Sequence, residues 1–321
     1  MVPDARRVSP PSPSTSLSVV ALAGISGPLG AEIASQLDVD AEVERIIGLD
    51  RRQPANAPEK LLFRRLEPGL PLADLFRQEG VKGAFLLDGA GGAVDPGPAE
   101  AESLRSQLDA CAECGAETVL VLSGAAVYGS HADNPNPIEE GAALRPDRAA
   151  QGAACVARER LVAEFARRRA ETATIVARLA PLVGPGTDGP AARYLASPRL
   201  VALRGFDPPL QFVHLEDAAL ALFKLAKARR TGVFNIAPDD AIPPTGIARL
   251  LKRRLLRLPG WMARALRGFG AGPEPGIVDF LRHPLVLSNR KLKRETLYGF
   301  RYSSESALLD HVRAARGATP S

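Results

Sequence analysis

A glycine-rich turn near the amino terminus constrains the fold of this chain more than any other feature. The apolar run Leu17 to Ala23 is typical of a buried strand, and Gly24-Ile25-Ser26-Gly27-Pro28-Leu29-Gly30 follows it directly. Helical spacing of apolar residues then continues from Leu29 to Leu37. Glycines between a strand and a helix let backbone N–H groups approach a pyrophosphate at the positive end of the helix. The turn therefore predicts a dinucleotide-binding βαβ unit.

An acidic residue lies at the matching distance from this turn. Asp50 ends a second predicted strand, Ile46 to Leu49, and follows Gly30 by 20 residues. At this spacing a carboxylate accepts hydrogen bonds from the hydroxyls of an adenosine ribose, which favours NAD because a 2′-phosphate would be repelled. Arg51 and Arg52 have the charge that a 2′-phosphate needs, so NADP stays open. The predicted cofactor-binding residues are Gly24, Ser26, Gly27, Pro28, Leu29, Gly30, Asp50 and Arg51.

Strand and helix patterns alternate along most of the chain. Further strands are predicted at 84–87, 118–122 and 174–179, and further helices at 100–114 and 148–169. Such alternation indicates βαβ units and a parallel sheet with helices on both faces. We therefore predict an α/β fold, a doubly wound parallel Rossmann sheet in residues 17–183. A smaller C-terminal substrate lobe, interleaved with the last strands, is predicted for residues 184–316, and a disordered tail for residues 1–16.

Composition narrows the function classes. The net charge of +5 comes mostly from arginine and suits acidic ligands such as nucleotides. Three cysteines, an odd number, favour a reducing compartment over a disulfide framework. The amino terminus has no apolar segment of the secretory type, and no run approaches the roughly 20 apolar residues of a membrane span. We therefore expect a cytoplasmic protein.

A second group of motifs carries a family resemblance. Val121 to Gly129 reads Val-Leu-Ser-Gly-Ala-Ala-Val-Tyr-Gly, and Val156-Ala157-Arg158-Glu159-Arg160 follows it. Together with the glycine turn, these motifs resemble the extended short-chain dehydrogenase/reductase family, the NAD-dependent epimerases and dehydratases of nucleotide sugars. Segments 178–185, 211–217 and 232–236 continue the resemblance. It implies NAD or NADP as cofactor and a small-molecule nucleotide or nucleotide sugar as ligand, and it leaves a homodimer open.

The catalytic positions of that family are altered in this chain. The family reads Ser-Ser-x-x-Val-Tyr-Gly and Tyr-x-x-x-Lys, in which the Tyr is the general acid/base, the Lys lowers its pKa and the Ser orients the substrate. The resemblance places Gly124 at the Ser, Val156 at the Tyr and Arg160 at the Lys. Neither Gly124 nor Val156 has a titratable proton, and a guanidinium does not release its own.

Two functions follow from these replacements. One is a weakly active or inactive relative of the nucleotide-sugar epimerases and dehydratases, so its status as an enzyme stays open. The alternative is a non-catalytic ligand-binding, scaffold or regulatory protein that retains the Rossmann fold. Tyr128 is the candidate for a relocated acid/base, although the family carries a Tyr there without that role.

Charged residues near the predicted cofactor also depart from the family. Arg65 replaces an Asp after the third strand, Asp88 replaces an Ala after the fourth, and Glu100 replaces an Asn at the start of the next helix. Repulsion between a carboxylate and a phosphate about 4 Å apart opposes binding by roughly 1 kcal/mol in water and by about 4 kcal/mol at an effective dielectric of 20. If a cation neutralises Asp88, we expect it to be Arg160 or Arg178. Pro181 replaces an Asn that meets the substrate in the family.

The remaining conspicuous residues predict no further site. Cys111 and Cys114 fall within one predicted helix without a second pair, which favours packing, and the four histidines lack metal-ligand spacing, so no metal site is predicted. Residues 252–267 are basic and amphipathic. We interpret them as a pair of helices with solvated arginines, with peripheral contact to an anionic membrane as the alternative. No nucleic-acid-binding module is present.

Overall fold

A seven-stranded parallel sheet organises the computed structural model, which describes residues 17–67, 69–88, 98–147, 150–260, 262 and 280–317. The strands of this sheet are β1 (Val19–Ala23), β2 (Arg45–Asp50), β3 (Leu61–Arg65), β4 (Gly83–Leu86), β5 (Thr118–Gly124), β6 (Ala173–Leu179) and β10 (Gly232–Ile236). Four short strands form two smaller pairs: β7 (Leu182–Val183) with β9 (Val213–His214), and β8 (Arg199–Leu203) with β11 (Arg254–Leu258).

Helices cover both faces of the large sheet. The helices of the described residues are α1 (Pro28–Val39), α2 (Leu72–Glu79), α3 (Pro98–Cys114), α4 (Ala150–Arg168), α5 (Pro190–Ala196), α6 (Leu215–Lys227), α7 (Pro244–Leu250), α8 (Arg290–Thr296) and α9 (Ser304–Gly317). Of these, α5, α7 and α9 pack against the two smaller strand pairs. One apolar cluster joins α1 and α6 to the sheet through residues such as Ile33 and Leu222. A second joins α2 and α3 through Phe76 and Leu104. The predicted doubly wound α/β fold is confirmed.

The strand order places a crevice at the predicted cofactor turn. The sheet runs β10-β6-β5-β4-β1-β2-β3, so β1 lies between β2 and β4. The chain leaves β1 toward one edge of the sheet and later returns through β4 toward the other. Ligands of such sheets bind outside the carboxyl ends of the strands where this reversal occurs. Gly24 follows the carboxyl end of β1, which puts the glycine turn at that point.

The segment predicted as a pair of basic helices is different in the structure. The prediction is wrong for residues 254–258, which form β11 and pair in parallel with β8. Leu255 and Leu258 pack against the apolar cluster of this region, so strand pairing satisfies the backbone while the leucines are partly buried. Part of the segment, residues 261 and 263–267, and the predicted tail 1–16 lie outside the described residues.

The boundary between the Rossmann domain, 17–183, and the C-terminal lobe, 184–316, stays a prediction. The strands β7 to β9 lie outside the large sheet, and β10 then returns to it, so the two regions are interleaved along the chain. Across the described part of the chain, no helix has the length and apolar character needed to cross a membrane.

Close packing at Gly30 holds α1 against the glycine turn. A Cβ atom on Gly30 would lie 2.1 Å from the carbonyl oxygen of Gly24 and 2.7 Å from Cα of Ile25. No side chain fits there, because both neighbours are backbone. Gly27 is different, since a Cβ atom there would meet only the Gly24 carbonyl oxygen, at an ordinary 3.5 Å. Gly30 is therefore required by packing, whereas Gly27 is free of such a requirement.

We expect Gly30→Ala and Gly27→Ala to differ sharply in stability. Overpacking at Gly30 should lower the free energy of unfolding by about 1–3 kcal/mol, because the backbone of the turn must move. Gly27→Ala should change it by no more than about 0.5 kcal/mol. Urea denaturation of the two variants and the wild type gives the comparison. Equal stability of both variants would contradict the close packing at Gly30.

Candidate functional site

A cleft with a volume of about 200 Å³ opens at the carboxyl ends of the central strands. Residues of the glycine turn and the end of β4 line one part of it: Gly24, Gly27, Pro28, Leu29, Gly30 and Leu87. The remaining lining comes from the end of β5, the start of α4, the segment after β6 and one further residue: Leu122, Ser123, Gly124, Ala125, Ala126, Gln151, Leu179 to Leu182, Thr187 to Ala191, and Phe280. The cleft thus joins the predicted cofactor turn to the predicted catalytic strand.

Asp50 lies against the glycine turn, as its spacing predicts. Its carboxylate accepts hydrogen bonds from the backbone N–H groups of Ser26, at 2.9 Å, and Arg51, at 2.7 Å. The N–H of Gly24 donates to the carbonyl of Leu49, the residue before Asp50, at 2.9 Å. The side chain of Arg51 is exposed and does not line the cleft. The structure therefore assembles the turn and the carboxylate, while their binding of a cofactor stays a prediction.

Asp88 places a second carboxylate beside the same turn. A Cβ atom on Gly24 would lie 3.0 Å from Oδ1 of Asp88, and Nε2 of Gln107 donates to the other oxygen at 2.9 Å. Burial raises the pKa of Asp88 above its usual range, and the charges of Asp50 and Glu100 act in the same direction. The hydrogen bond from Gln107 and the charge of Arg158 oppose this rise.

The cation near Asp88 is Arg158 rather than Arg160 or Arg178, so that expectation is corrected. Arg158 is buried, and its Nε donates to the carbonyl of Leu122 at 3.2 Å. Burial lowers its pKa, while the charges of Asp88 and Glu100 act in the opposite direction. Arg160 is exposed on the surface of α4. The sequence gives no signal for Arg158, because its role depends on how α4 packs.

The residues predicted to replace the catalytic side chains do not all meet at the cleft. Gly124 lines it, whereas Val156 is half-buried against the hydrophobic core and Arg160 is exposed. Gln151 in the first turn of α4 lines the cleft instead. Cys155, one turn later, is buried below Gly124, where a Cβ atom would lie 3.7 Å from its Sγ. On this side of α4, Gln151 therefore lines the cleft and Cys155 lies buried one turn further along.

Beneath the cleft, a buried ion pair joins α4 to β6. Nη2 of Arg178 lies 2.6 Å from Oε2 of Glu159, and its Nε donates to Oε1 at 2.9 Å. The hydroxyl of Ser123 donates to the same carboxylate at 2.7 Å. Although burial lowers the pKa of Arg178, its bonds to Glu159 raise it above its usual value. This pair fixes the rotation of α4 against the sheet.

Tyr128 belongs to that buried network and does not line the cleft. Its ring is 1% exposed. Its hydroxyl donates to Oδ1 of Asn235 at 2.9 Å and accepts from Nη1 of Arg178 at 2.7 Å. Burial raises the pKa of Tyr128. Because both hydrogen-bonding directions are used inside the protein, Tyr128 is not placed to exchange a proton with a ligand.

The other conspicuous residues have structural surroundings. Cys111 and Cys114 are free, and burial raises the pKa of both thiols. His214 is buried at the N-terminus of α6, where its Nδ1 accepts from the backbone N–H of Glu216 at 3.3 Å. No group of three His, Cys, Asp or Glu side chains suited to a metal ion occurs in the part of the chain that the structure describes.

Comparisons with known proteins agree with this geometry. Residues 20–237 match the model of the NAD dependent epimerase/dehydratase family. An uncharacterized protein of Mycobacterium tuberculosis is 30% identical over 208 residues, which is 63% of this chain and 55% of that protein. A Mycobacterium bovis protein, also uncharacterized, matches to the same extent. The chain thus spans about half the length of the curated relatives that it matches.

Solved structures share the fold at low sequence identity. The UDP-glucose 4-epimerase of Thermus thermophilus, in complex with NAD, has a TM-score of 0.73 at 20% identity, covering 94% of this chain and 100% of that one. The UDP-glucose 4-epimerase of Thermotoga maritima with UDP-glucose has a TM-score of 0.73 at 18% identity, with coverage of 93% and 99%. MoeE5 in complex with UDP-glucuronic acid and NAD has a TM-score of 0.73 at 21% identity, with coverage of 94% and 100%.

The ion pair beneath the cleft makes a prediction about α4. Glu159→Ala leaves Arg178 buried without its partner, so it should lower the free energy of unfolding by about 3–5 kcal/mol. Glu164→Ala removes an exposed carboxylate from the same helix and should change it by no more than about 0.5 kcal/mol. Urea denaturation measures both. A larger loss for Glu164→Ala than for Glu159→Ala would contradict the burial of the ion pair between Glu159 and Arg178.

Proposed function

Because the chain belongs to the NAD-dependent epimerase/dehydratase family, we propose that it binds NAD in the cleft but lacks the groups that carry protons in that family's reactions. When bound, NAD supplies a hydride acceptor. The observation that carries the proposal is the side of α4 that meets the cleft. It presents Gln151 to the cleft, beside Gly124 on β5, while Cys155 is buried below Gly124.

The glycine turn supports the cofactor half of the proposal. Gly24, Gly27 and Gly30 line the cleft at the N-terminus of α1, where unpaired N–H groups and the helix dipole favour a diphosphate. The space at Gly27 is open apart from one ordinary contact with the Gly24 carbonyl, so backbone can approach a ligand there. Asp50 lies beside the turn, and its charge favours the ribose hydroxyls of NAD over the 2′-phosphate of NADP.

The start of α4 supports the loss of chemistry. The carboxamide of Gln151 does not ionise, so it cannot act as a general acid or base near neutral pH. Burial raises the pKa of the Cys155 thiol, which keeps it neutral. Neither side chain can perform the proton transfer of the family's Tyr or provide the charge of its Lys. Gly124 supplies no hydroxyl.

The position of Glu159 supports an alignment of α4 that places Gln151 at the family's Tyr and Cys155 at its Lys. The Tyr-x-x-x-Lys motif is commonly followed by a Glu, and Gln151, Cys155 and Glu159 are spaced by four residues each. All three lie toward the sheet side of α4, and Glu159 pairs with Arg178. Val156, Arg160 and Glu164 have the same spacing, but Arg160 and Glu164 are exposed. Both alignments lack the Tyr and the Lys, so the proposal of a protein without the family's turnover holds for either.

A non-catalytic ligand-binding or regulatory protein is therefore the function that the site supports best. The nucleotide sugars named with the solved neighbours are the ligands with which turnover should be sought. A cytoplasmic location, with three unbridged thiols, is part of the same proposal.

We expect calorimetric titration to show saturable binding of NAD, one molecule per chain, with weaker binding of NADP. Gly27→Glu should raise the dissociation constant for NAD at least about ten-fold, a loss of about 1.4 kcal/mol, because it adds a carboxylate where the diphosphate lies. Gly299→Glu is the matched control, since a Cβ atom on Gly299 would have no neighbour within 4 Å. Absent NAD binding by the wild type, or binding that Gly27→Glu leaves unchanged, would contradict the proposal.

The raised pKa of Asp88 makes NAD binding depend on pH. Protonation removes the negative charge beside the turn, so affinity should increase as the pH is lowered from neutral toward the raised pKa of Asp88. Asp88→Asn should tighten binding at neutral pH about five-fold, near 1 kcal/mol, and should flatten the pH dependence. Calorimetry across this range tests both effects.

Asp88 either repels the diphosphate of NAD or mainly balances the charge of Arg158. Thermal melts of Asp88→Asn separate these two roles. A lower melting temperature with unchanged NAD affinity would show that Asp88 mainly balances the charge of Arg158. That result would contradict the electrostatic account of cofactor binding.

A further inference from the structure

We propose that the part of the cleft beyond the glycine turn takes a neutral, largely apolar small molecule with one carbonyl or hydroxyl group, and not a nucleotide sugar. This inference rests on the proposed function, because it concerns the ligand that lies beside NAD. It depends on which side chains line the cleft from the end of β5 to the segment after β6.

The charges of the lining disfavour a second diphosphate. Among the described residues that line the cleft, Asp188 is the only ionisable side chain, and no Lys, Arg or His is present. Asp188 is exposed, so its charge stays hydrated at the mouth and repels anions. The N-terminus of α1 accommodates one diphosphate, that of NAD. Among the described lining residues, the diphosphate of a nucleotide sugar would therefore find no cation to pair with, which is unfavourable.

The surface of this part of the cleft is largely apolar. The apolar residues that line it are Leu179, Ala180, Pro181, Leu182, Pro190, Ala191 and Phe280. Leu182 and Phe280 are only partly buried in the protein, which leaves apolar surface for a ligand. A sugar ring would bring several hydroxyl groups against these residues, and each hydroxyl that finds no partner costs free energy. An apolar ligand has no such cost.

Few polar side chains remain available to a ligand. The hydroxyl of Ser123 donates to Glu159, and that of Thr187 donates to the carbonyl of Gly184 at 2.9 Å. Gln151 makes no side-chain hydrogen bond to another described residue, and it lines the same cleft as Gly124. Its carboxamide both donates and accepts, so it suits one carbonyl or hydroxyl group. A ligand with a single polar group on an apolar body matches this lining.

Prodan, a neutral naphthalene ketone whose emission shifts to shorter wavelength in apolar surroundings, tests the inference. Added to the NAD-loaded protein, it should show saturable, blue-shifted emission that UDP and UDP-glucose do not displace. Gln151→Ala should weaken its binding about three- to ten-fold, through the loss of one hydrogen bond. Gln78→Ala, the same substitution at an exposed position on α2, should leave the binding unchanged.

Three results would overturn the inference: absence of saturable Prodan binding, Prodan binding that Gln151→Ala leaves unchanged, and displacement of Prodan by UDP-glucose. Calorimetry with NAD on the same preparation separates this outcome from failure of the proposed function. Absent NAD binding with intact, Gln151-dependent Prodan binding contradicts the proposed function and supports the apolar ligand. Intact NAD binding with stoichiometric binding of UDP-glucose does the reverse.

Discussion

The buried ion pair between Glu159 and Arg178 determines which side of α4 meets the cleft. It joins α4 to β6, and the hydroxyl of Ser123 attaches the end of β5 to the same carboxylate. With the rotation of α4 fixed in this way, Gln151 and Cys155 come to lie beside Gly124. The chemistry of the cleft thus follows from a pair that does not itself line it. A buried charge cannot lose its partner cheaply, which makes this arrangement rigid.

The cofactor end of the cleft combines a well-formed turn with an opposing charge. Close packing of Gly30 on the Gly24 carbonyl shapes the turn, and Asp50 completes it. Asp88 then adds a carboxylate at the point where a diphosphate would pass. Burial raises its pKa, and Arg158 partly balances its charge, so the cost to NAD is smaller than for a fully ionised, isolated carboxylate. The two effects together predict weakened but retained binding.

The sequence predicts the fold well because its signals are local. The turn, the strand patterns and the spacing of Asp50 each depend on short segments, and the structure confirms the α/β sheet that they indicate. The catalytic alignment is harder, because Val156-Ala157-Arg158-Glu159-Arg160 repeats the charge pattern of the family motif. A shift of five residues rotates a helical side chain by about 140°, so only packing shows which residues meet the cleft. Arg158 and β11 likewise depend on contacts between distant segments.

The central claim is that the cleft holds NAD and lacks a proton carrier. Its most direct test is the NADH fluorescence of the NAD-loaded protein after addition of UDP-glucose or UDP-galactose, with analysis of the sugars for epimerised or dehydrated product. The account predicts no NADH and no product, although calorimetry shows NAD to be bound. Formation of NADH, or conversion of either sugar by the wild-type protein, would contradict it.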